Sequence, residues 1–331
     1  MQDTIDWFRE QDIALKAEPD GRMFPVTDES QTIIDCFLKL ARQYNIRVNT
    51  QCEVTEIRQL KPGFSVMTSQ GNLEADAVVC ALGGHNKPEA YRIIKNLGHS
   101  IDAPIPSLFT LNLPQEPIKK ELQGLSVQQA EVKIAGTKLS YAGPVLVTHW
   151  GLSGPAVLKL SAFAAQSFFE AGYKAGIVIN WVYPLSQPEA MEQLKILQKE
   201  KHKALPFSQS AFGLPRRLWE FLCLGADINN TKPWAETGNK QINRLAENLC
   251  GSRYHMEGKT TFKEEFVTCG GVNLKEIDFT TMQSKLVPGL FFCGEALNID
   301  GITGGFNFQS AWSTAWVCAK SLADPESLQN R

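Results

Sequence analysis

Apolar positions recur along the chain with two different periods. Between residues 29 and 44, Ile33, Ile34, Phe37, Leu38 and Ala41 repeat at helical spacing and predict an amphipathic helix. Ile46 and Val48 then begin a short strand, and CEVTEI (52–57) continues the extended pattern. Phe64 and Val66, a polar turn over 69–72, and Leu73 and Ala75 predict a hairpin. AVVCAL (77–82) has no polar alternation, as in a strand buried on both faces of a parallel sheet. It ends in Gly83-Gly84. A helix follows, with Pro88 near its first turn, Ala90, Ile93, Ile94 and Leu97 on one face, and Gly98 as its stop.

From Pro104 the texture changes. Pro104, Pro106, Pro114 and Pro117 break the chain into short β-type segments: SLFTLNL, AEVKIAG, TKLSYAG, PVLVTHW and AGIVINWVY. These predict a small antiparallel or barrel-like domain. Residues 187–251 read as helical. Pro188 opens one helix, Pro215 another, and a third carries Ile242, Leu245, Ala246 and Leu249 before Gly251. The last stretch returns to α/β, with LFFCGE, a glycine-rich loop, and a helix whose Phe308, Ala311, Trp312, Ala315, Trp316 and Ala319 share one face. The expected architecture is an α/β, Rossmann-like domain built from 1–106 and 266–331. A β-barrel-like domain (107–186) and a helical subdomain with a returning strand (187–265) interrupt it.

Composition narrows the function classes. Hydrophobic residues at 43% and charged residues at 21% are ordinary for a globular chain, and 331 residues allow two or three domains. A formal charge of −2 supplies no global basic field for nucleic acid or anionic membrane. No apolar run approaches the ~18–20 residues that span a bilayer. MQDTIDWFREQD lacks the apolar stretch of a secretory signal. The eight cysteines are scattered without a CxxC pair, which fits reduced thiols in a cytoplasmic protein. The sequon at Asn229 carries no weight without a secretory signal.

The chemistry concentrates in LFFCGEALNIDGITGGFNFQSAW (290–312). A buried strand ends at Gly294-Glu295. A glycine there lets backbone approach a ligand, and Glu295 lies just past the strand's carboxyl end, where open α/β sheets bind ligands. Gly304, Gly305, Phe306 and Asn307 then open a long helix, whose free N–H groups suit a pyrophosphate or the electron-rich edge of a flavin ring. Asn307 is also a natural helix cap. AVVCALGG supplies a second strand end with paired glycines. THWGLSGPAVLKLS (148–161) has Ser153 as a plausible cap, Pro155 in a first helical turn, and His149, a residue type able to exchange protons that more often packs beside an aromatic such as Trp150. Cys269 precedes Gly270-Gly271 with no basic neighbour to activate it. GxSxG, HExxH, GxxxxGK[ST] and CxxC are missing, and no metal set is expected, so a cofactor would carry the difficult step.

In order along the chain, GRMFP (21–25), ALGG, GHSI (98–101), THWGLSGPAVLKLS, FKEEFVTCGGV (262–272), TMQSKLVPGLFFCGEALNIDG (281–301) and TGGFN (303–307) resemble the bacterial YhiN/BaiN-like flavoproteins of aminoacetone-oxidase type. The resemblance implies a two-dinucleotide-type FAD domain with an inserted β-barrel and helical subdomain. It implies FAD as cofactor, NAD(P)H as electron donor, and reduction of a C=C bond, either in a small organic ring or in a uracil of ribosomal RNA. By position, Val54 would face the adenine, Gly83 and Gly84 would form a second contact loop, Gly294 and Glu295 would hold the ribityl chain, and Gly304, Gly305, Phe306 and Asn307 would meet the flavin. It assigns no proton donor. His149 and Cys269 stay weak candidates for that catalytic role. Members of the family begin with a βαβ unit carrying GxGxxG, a pattern expected to precede this chain, and many carry Asp where Asn298 stands. Two rivals follow. Lys199, Lys201, Lys203, Arg216 and Arg217 would form a basic patch for RNA, or the chain would be a non-catalytic remnant that binds no FAD by itself. No membrane or obligate protein partner is expected.

Overall fold

The computed structural model describes residues 1–19, 21–260 and 267–323. Residues 262–266 of the FKEEFVTCGGV motif lie outside these. The chain divides into two compact units, Met1–Pro104 with Thr268–Arg331, and Ile105–Val267.

The first unit is built on a four-stranded sheet in the order Ile277–Asp278, Gln283–Ser284, Leu290–Phe292, Val78–Cys80. The last pair is parallel, with Phe291 opposite Val79. Leu290, Phe291 and Phe292 are fully buried, as an unbroken apolar run between covered faces requires. AVVCAL departs from its expectation. Only Val78–Cys80 is strand, and Val79 is 41% exposed, because the strand ends the sheet order and has one hydrogen-bonded neighbour. A three-stranded meander, Val54–Gln59, Phe64–Thr68 and Gly71–Ala75, follows the predicted alternation. Its Ile57 and Phe64 join Ile94, Val272 and Leu290 in the core.

Helix Ser30–Gln43 forms where its period predicts. Its apolar stripe is only partly covered: Cys36 is its buried residue and Phe37 stacks on Trp7, while Ile34, Phe37 and Leu38 stay exposed. The strand expected at Ile46 and Val48 is absent. Residues 46–49 are irregular, with Ile46 60% exposed. A strand needs a partner for its N–H and C=O groups, and the sequence alternation alone does not supply one. The helix expected after Gly84 is a 3-10 turn, Pro88–Tyr91, running into a short α-helix, Arg92–Asn96. Gly98 ends it at φ 94°, a conformation glycine adopts without penalty. Helix Phe306–Ala323 also corrects its pattern. Cys318 is its buried residue, while Phe308 and Trp316 of the predicted core face are largely exposed.

The second unit holds a seven-stranded antiparallel sheet. Its order is Ser252–Glu257, Lys174–Asn180, Ser126–Ile134, Ser140–Val147, Gly151–Ser153, Thr110–Asn112, Lys259–Thr260. The expected barrel is found as this linear order, without a ladder joining Ser252–Glu257 to Thr110–Asn112 among the described residues. The two outermost strands are successive pieces of chain separated by Gly258, which turns at φ 94°. Helices Pro155–Phe163, Gln187–Glu200, Arg216–Gly225 and Asn239–Gly251 pack on the same core as the strands, so the segments 107–186 and 187–265 share one interior. The cap before Pro155 is Gly154, at φ 96°, and not Ser153, whose hydroxyl accepts from Thr110 Oγ1. Ile242, Leu245, Ala246 and Leu249 are all fully buried, as their spacing predicts. Trp219, also buried, donates its indole N–H to the Pro206 carbonyl at 2.9 Å, which satisfies the polar edge of the ring.

Candidate cofactor site

Parallel pairing puts the carboxyl ends of Val78–Cys80 and Leu290–Phe292 side by side, and the Cys293 N–H extends the pairing to the Cys80 carbonyl at 3.1 Å. Beyond that point both chains turn away. Gly83 and Gly294 do so at φ 75° and 68°, in the left-handed region that favours glycine. Gly84 faces Glu295 directly: a Cβ built on it would lie 3.3 Å from both Glu295 Oε2 and Thr268 Oγ1. Gly294 donates its N–H to Thr314 Oγ1 at 2.9 Å, and a Cβ there would meet the Ala311 side chain at 3.7 Å. The structure thus brings together Gly84, Gly294, Glu295, Thr268 and the flank of helix Phe306–Ala323.

Two residues that pattern reading passed over stabilise or equip this cluster. Tyr91 is buried, and its hydroxyl accepts the His85 N–H at 3.3 Å, which ties down the loop after Gly84. Burial pushes its phenol above the usual range, and the Glu295 carboxylate adds to that push. Thr268 lies on strand Val267–Val272, is 5% exposed, and has no hydrogen-bond partner for Oγ1 among the described residues. Both were visible as letters, but neither sits at a strand end or in a glycine turn, where ligand contacts are sought.

The turn before the last helix is a closed staple. Asn307 Oδ1 accepts the Gly301 N–H at 2.6 Å, and Asn307 Nδ2 donates to the Gly301 carbonyl at 3.2 Å. Its amide is committed to the loop, which shapes Gly304 (φ 124°) and Gly305 (φ 87°) at the helix entrance. Phe306 is more than half exposed there and lies against Gly304. The N–H groups of the helix's first turn have no partner within the helix.

Cys269 adjoins Thr268. Burial pushes its thiol up to about 11, and the Asp300 and Asp102 carboxylates reinforce the shift, so it is protonated at neutral pH. Asp102 is held by Asn298 Nδ2 at 2.7 Å, while Asn298 Oδ1 accepts the Gly270 N–H at 3.0 Å. An amide suits that bridge because it donates at one end and accepts at the other. Val54 opens the meander, opposite Thr68, half-buried on the same core. His149 belongs to the other unit, in the tight turn between Ser140–Val147 and Gly151–Ser153, with its ring tilted on Trp150 at 4.7 Å.

The model of the HI0933-like protein Rossmann domain matches residues 1–321. The chain belongs to this family. The flavoprotein resemblance drawn from the motifs is borne out by that match and by the relatives. The chain is 30% identical to the ribosomal RNA dihydrouridine synthase of Escherichia coli (strain K12), over 97% of this chain and 78% of the relative. It is 23% identical to the 3-dehydro-bile acid delta(4,6)-reductase of Clostridium scindens, over 97% of this chain and 80% of that one. It is 25% identical to the ribosomal RNA dihydrouridine synthase of Haemophilus influenzae, over 97% and 79%. Among the described residues, no helix is long and apolar enough to cross a membrane, and no group of three or more His, Cys, Asp or Glu could hold a metal ion.

Proposed function

We propose that this HI0933-like chain is an FAD-dependent oxidoreductase that moves a hydride from NAD(P)H, by way of the flavin, to a C=C bond of an organic substrate. The observation that carries the reading is the cluster at the two parallel strand ends. There a carboxylate and a buried hydroxyl, without a hydrogen-bond partner among the described residues, both lie against the bare face of a glycine. Those groups fit a flavin's polyol chain, which offers neutral hydroxyls to Glu295. They do not suit a phosphate, which Glu295 would repel. Gly304, Gly305 and Phe306 would receive the ring at the helix entrance, where unpaired N–H groups favour electron-rich atoms. Gly83 and Val54 would border the rest of the cofactor. When bound, the flavin supplies reversible hydride acceptance and donation. The chain's own part is to orient it and to provide a proton. Cys269, kept as a thiol by burial and by Asp300, is the candidate donor in the same unit.

A purified sample of the 331-residue chain titrated with FAD tests the reading. Saturable binding with visible flavin absorbance, bleached by NADH or NADPH and restored by an unsaturated acceptor, is the expected result. A protein that stays colourless with excess FAD would falsify it and favour the non-catalytic alternative. Cys269→Ala should bind FAD normally and slow acceptor reduction by roughly 10²-fold or more if the thiol is the acid.

A second reading takes uracil in ribosomal RNA as acceptor, since two relatives carry that name. The surface tempers it. Arg216 is paired with Glu220 at 2.7 Å, Arg217 donates to the Glu121 and Gln123 carbonyls and Lys201 to Gln209 Oε1, which leaves Lys199 and Lys203 as the main phosphate contacts. RNA retention that weakens steeply with salt would support this acceptor, and none at low salt would remove it.

A further inference from the structure

Among the described residues the buried polar ones are His99, Ser107, Thr110, Ser161, Ser252, Thr268 and Ser284. Ser161 bonds to the Leu158 carbonyl, Ser252 to the Asn248 carbonyl, Thr110 to Ser153, and Ser284 to His99. Among the described residues Thr268 Oγ1 is the buried side-chain oxygen with no partner. Hydroxyls taken out of water nearly always find a partner, since an unmade bond costs the full desolvation of the group. Thr268 is not stranded in apolar packing, for Gly84 and Glu295 lie beside it. Oγ1 is 3.3 Å from the point a Cβ of Gly84 would occupy, and Glu295 Oε2 is at the same distance from that point. Both oxygens therefore lie against the side of Gly84 where any other residue would carry its Cβ.

We infer that Thr268 is a ligand-contacting residue whose hydroxyl and the Glu295 carboxylate together hold hydroxyls of the flavin's ribityl chain. This rests on the flavin reading above and assigns a partner within it. A carboxylate can only accept, so it takes the proton of one ribityl hydroxyl. The threonine both donates and accepts, so it engages a neighbouring hydroxyl in either sense. The pair is matched to a neutral polyol. Burial without a partner in the free protein is the cost of a group whose partner arrives with the ligand.

The test is fluorescence titration of the full chain with three probes: FAD, riboflavin, and lumiflavin, which has the ring system without the hydroxylated chain. Thr268→Val keeps the shape and removes the hydroxyl. It should weaken FAD and riboflavin about tenfold and leave lumiflavin unchanged, and Thr268→Ser should bind all three like the parent. Without flavin, Thr268→Val should melt no lower than the parent, because it replaces an orphaned oxygen by a methyl group. Thr268→Val that binds FAD as tightly as the parent overturns the assignment while the flavin reading stands. Equal loss of all three probes also overturns it, because the hydroxyl would then act through the fold or the ring. If Thr268→Val fails to fold, Thr268→Ala takes its place: a loss confined to FAD and riboflavin that Thr268→Ser does not share supports the hydroxyl's role, and no loss, or one equal across the probes, refutes it. A parent that binds none of the flavins removes both readings.

Discussion

At the residue scale, the most informative polar arrangement outside the site is the line Ser284–His99–Glu276. Ser284 Oγ accepts the N–H groups of Leu286 and Val287 at 3.0 and 2.9 Å, so its own proton goes to His99 Nε2 at 2.9 Å. That leaves Nδ1–H to donate to Glu276 Oε2 at 3.0 Å. The connectivity is that of a Ser-His-acid triad, but a buried serine whose lone pairs are both engaged is no nucleophile. Its role is to pin the turn before strand Leu290–Phe292, with the imidazole edge-on to Phe292. Burial holds the His99 pKa below 6.5, and Glu276 only partly opposes it. Burial would raise the Glu276 carboxyl, but its bonds to Ser100 and His99 outweigh that and hold it low. As pH falls below 6.5, the unfolded chain takes up the histidine proton first. Stability from the neutral ring is therefore full above that pH and is lost down to the folded pKa. Glu276 adds a loss of the same sign below 4.5. The melting temperature should drop as the pH falls through and below 6.5 by this linkage. His99→Phe should cost about 1–3 kcal/mol at neutral pH and flatten that part of the profile. Parallel profiles for the two proteins would rule out His99 as the source.

At the scale of elements, two helices with equally clear apolar patterns behave differently. In Asn239–Gly251 all four patterned residues are buried, and Leu245→Ala should destabilise by about 2–5 kcal/mol in denaturant unfolding. In Phe306–Ala323 the patterned Trp316 is exposed under Lys320, and Trp316→Lys should change stability by about 1 kcal/mol or less. A large loss at Trp316 would show that this face is covered in solution. The contrast explains what was legible in the sequence. Period reports that a segment has an apolar side, and the helices at Ile242 and Ile33 were both found that way. Whether the side is covered depends on distant chain, which no local period encodes. The same limit explains Ile46 and Val48, whose alternation forecasts a strand that no neighbour completes. Within the site, Gly84, Gly294 and Glu295 were readable because glycine and a carboxylate at strand ends have few structural uses. Thr268 and Tyr91 were not, because a threonine in a strand and a tyrosine in a helix look like ordinary packing. The side-chain amide of Asn307, a residue expected at the flavin, has both its ends bonded to Gly301, which no local letter pattern encodes.

At the scale of the whole molecule, the two units are unequally filled. Among the described residues, 37 buried residues form the interior of Ile105–Val267, and 14 form that of the other unit, which is of similar length. At about 1.5–3 kcal/mol for each large side chain withdrawn from water, the difference is substantial even after ordering costs. Native-state hydrogen exchange should therefore be slowest in strands such as Ser126–Ile134 and Lys174–Asn180, and faster in Val78–Cys80. The first unit should also bind a hydrophobic dye, given its exposed Ile34, Ile46, Val79 and Trp316. Equal protection in both units, or no dye binding, would contradict this imbalance.

The parallel register of Val78–Cys80 with Leu290–Phe292 carries a consequence for synthesis. A ribosome delivers Gly84 early and Glu295 only after the whole of Ile105–Val267 has emerged. The inserted unit can be finished, with its own interior, before the second half of the binding groove exists. Any small molecule that needs both strand ends must then wait for the last helix to leave the exit tunnel. Its arrival would be the closing act of folding, with the ligand itself drawing the far-separated halves of the groove together.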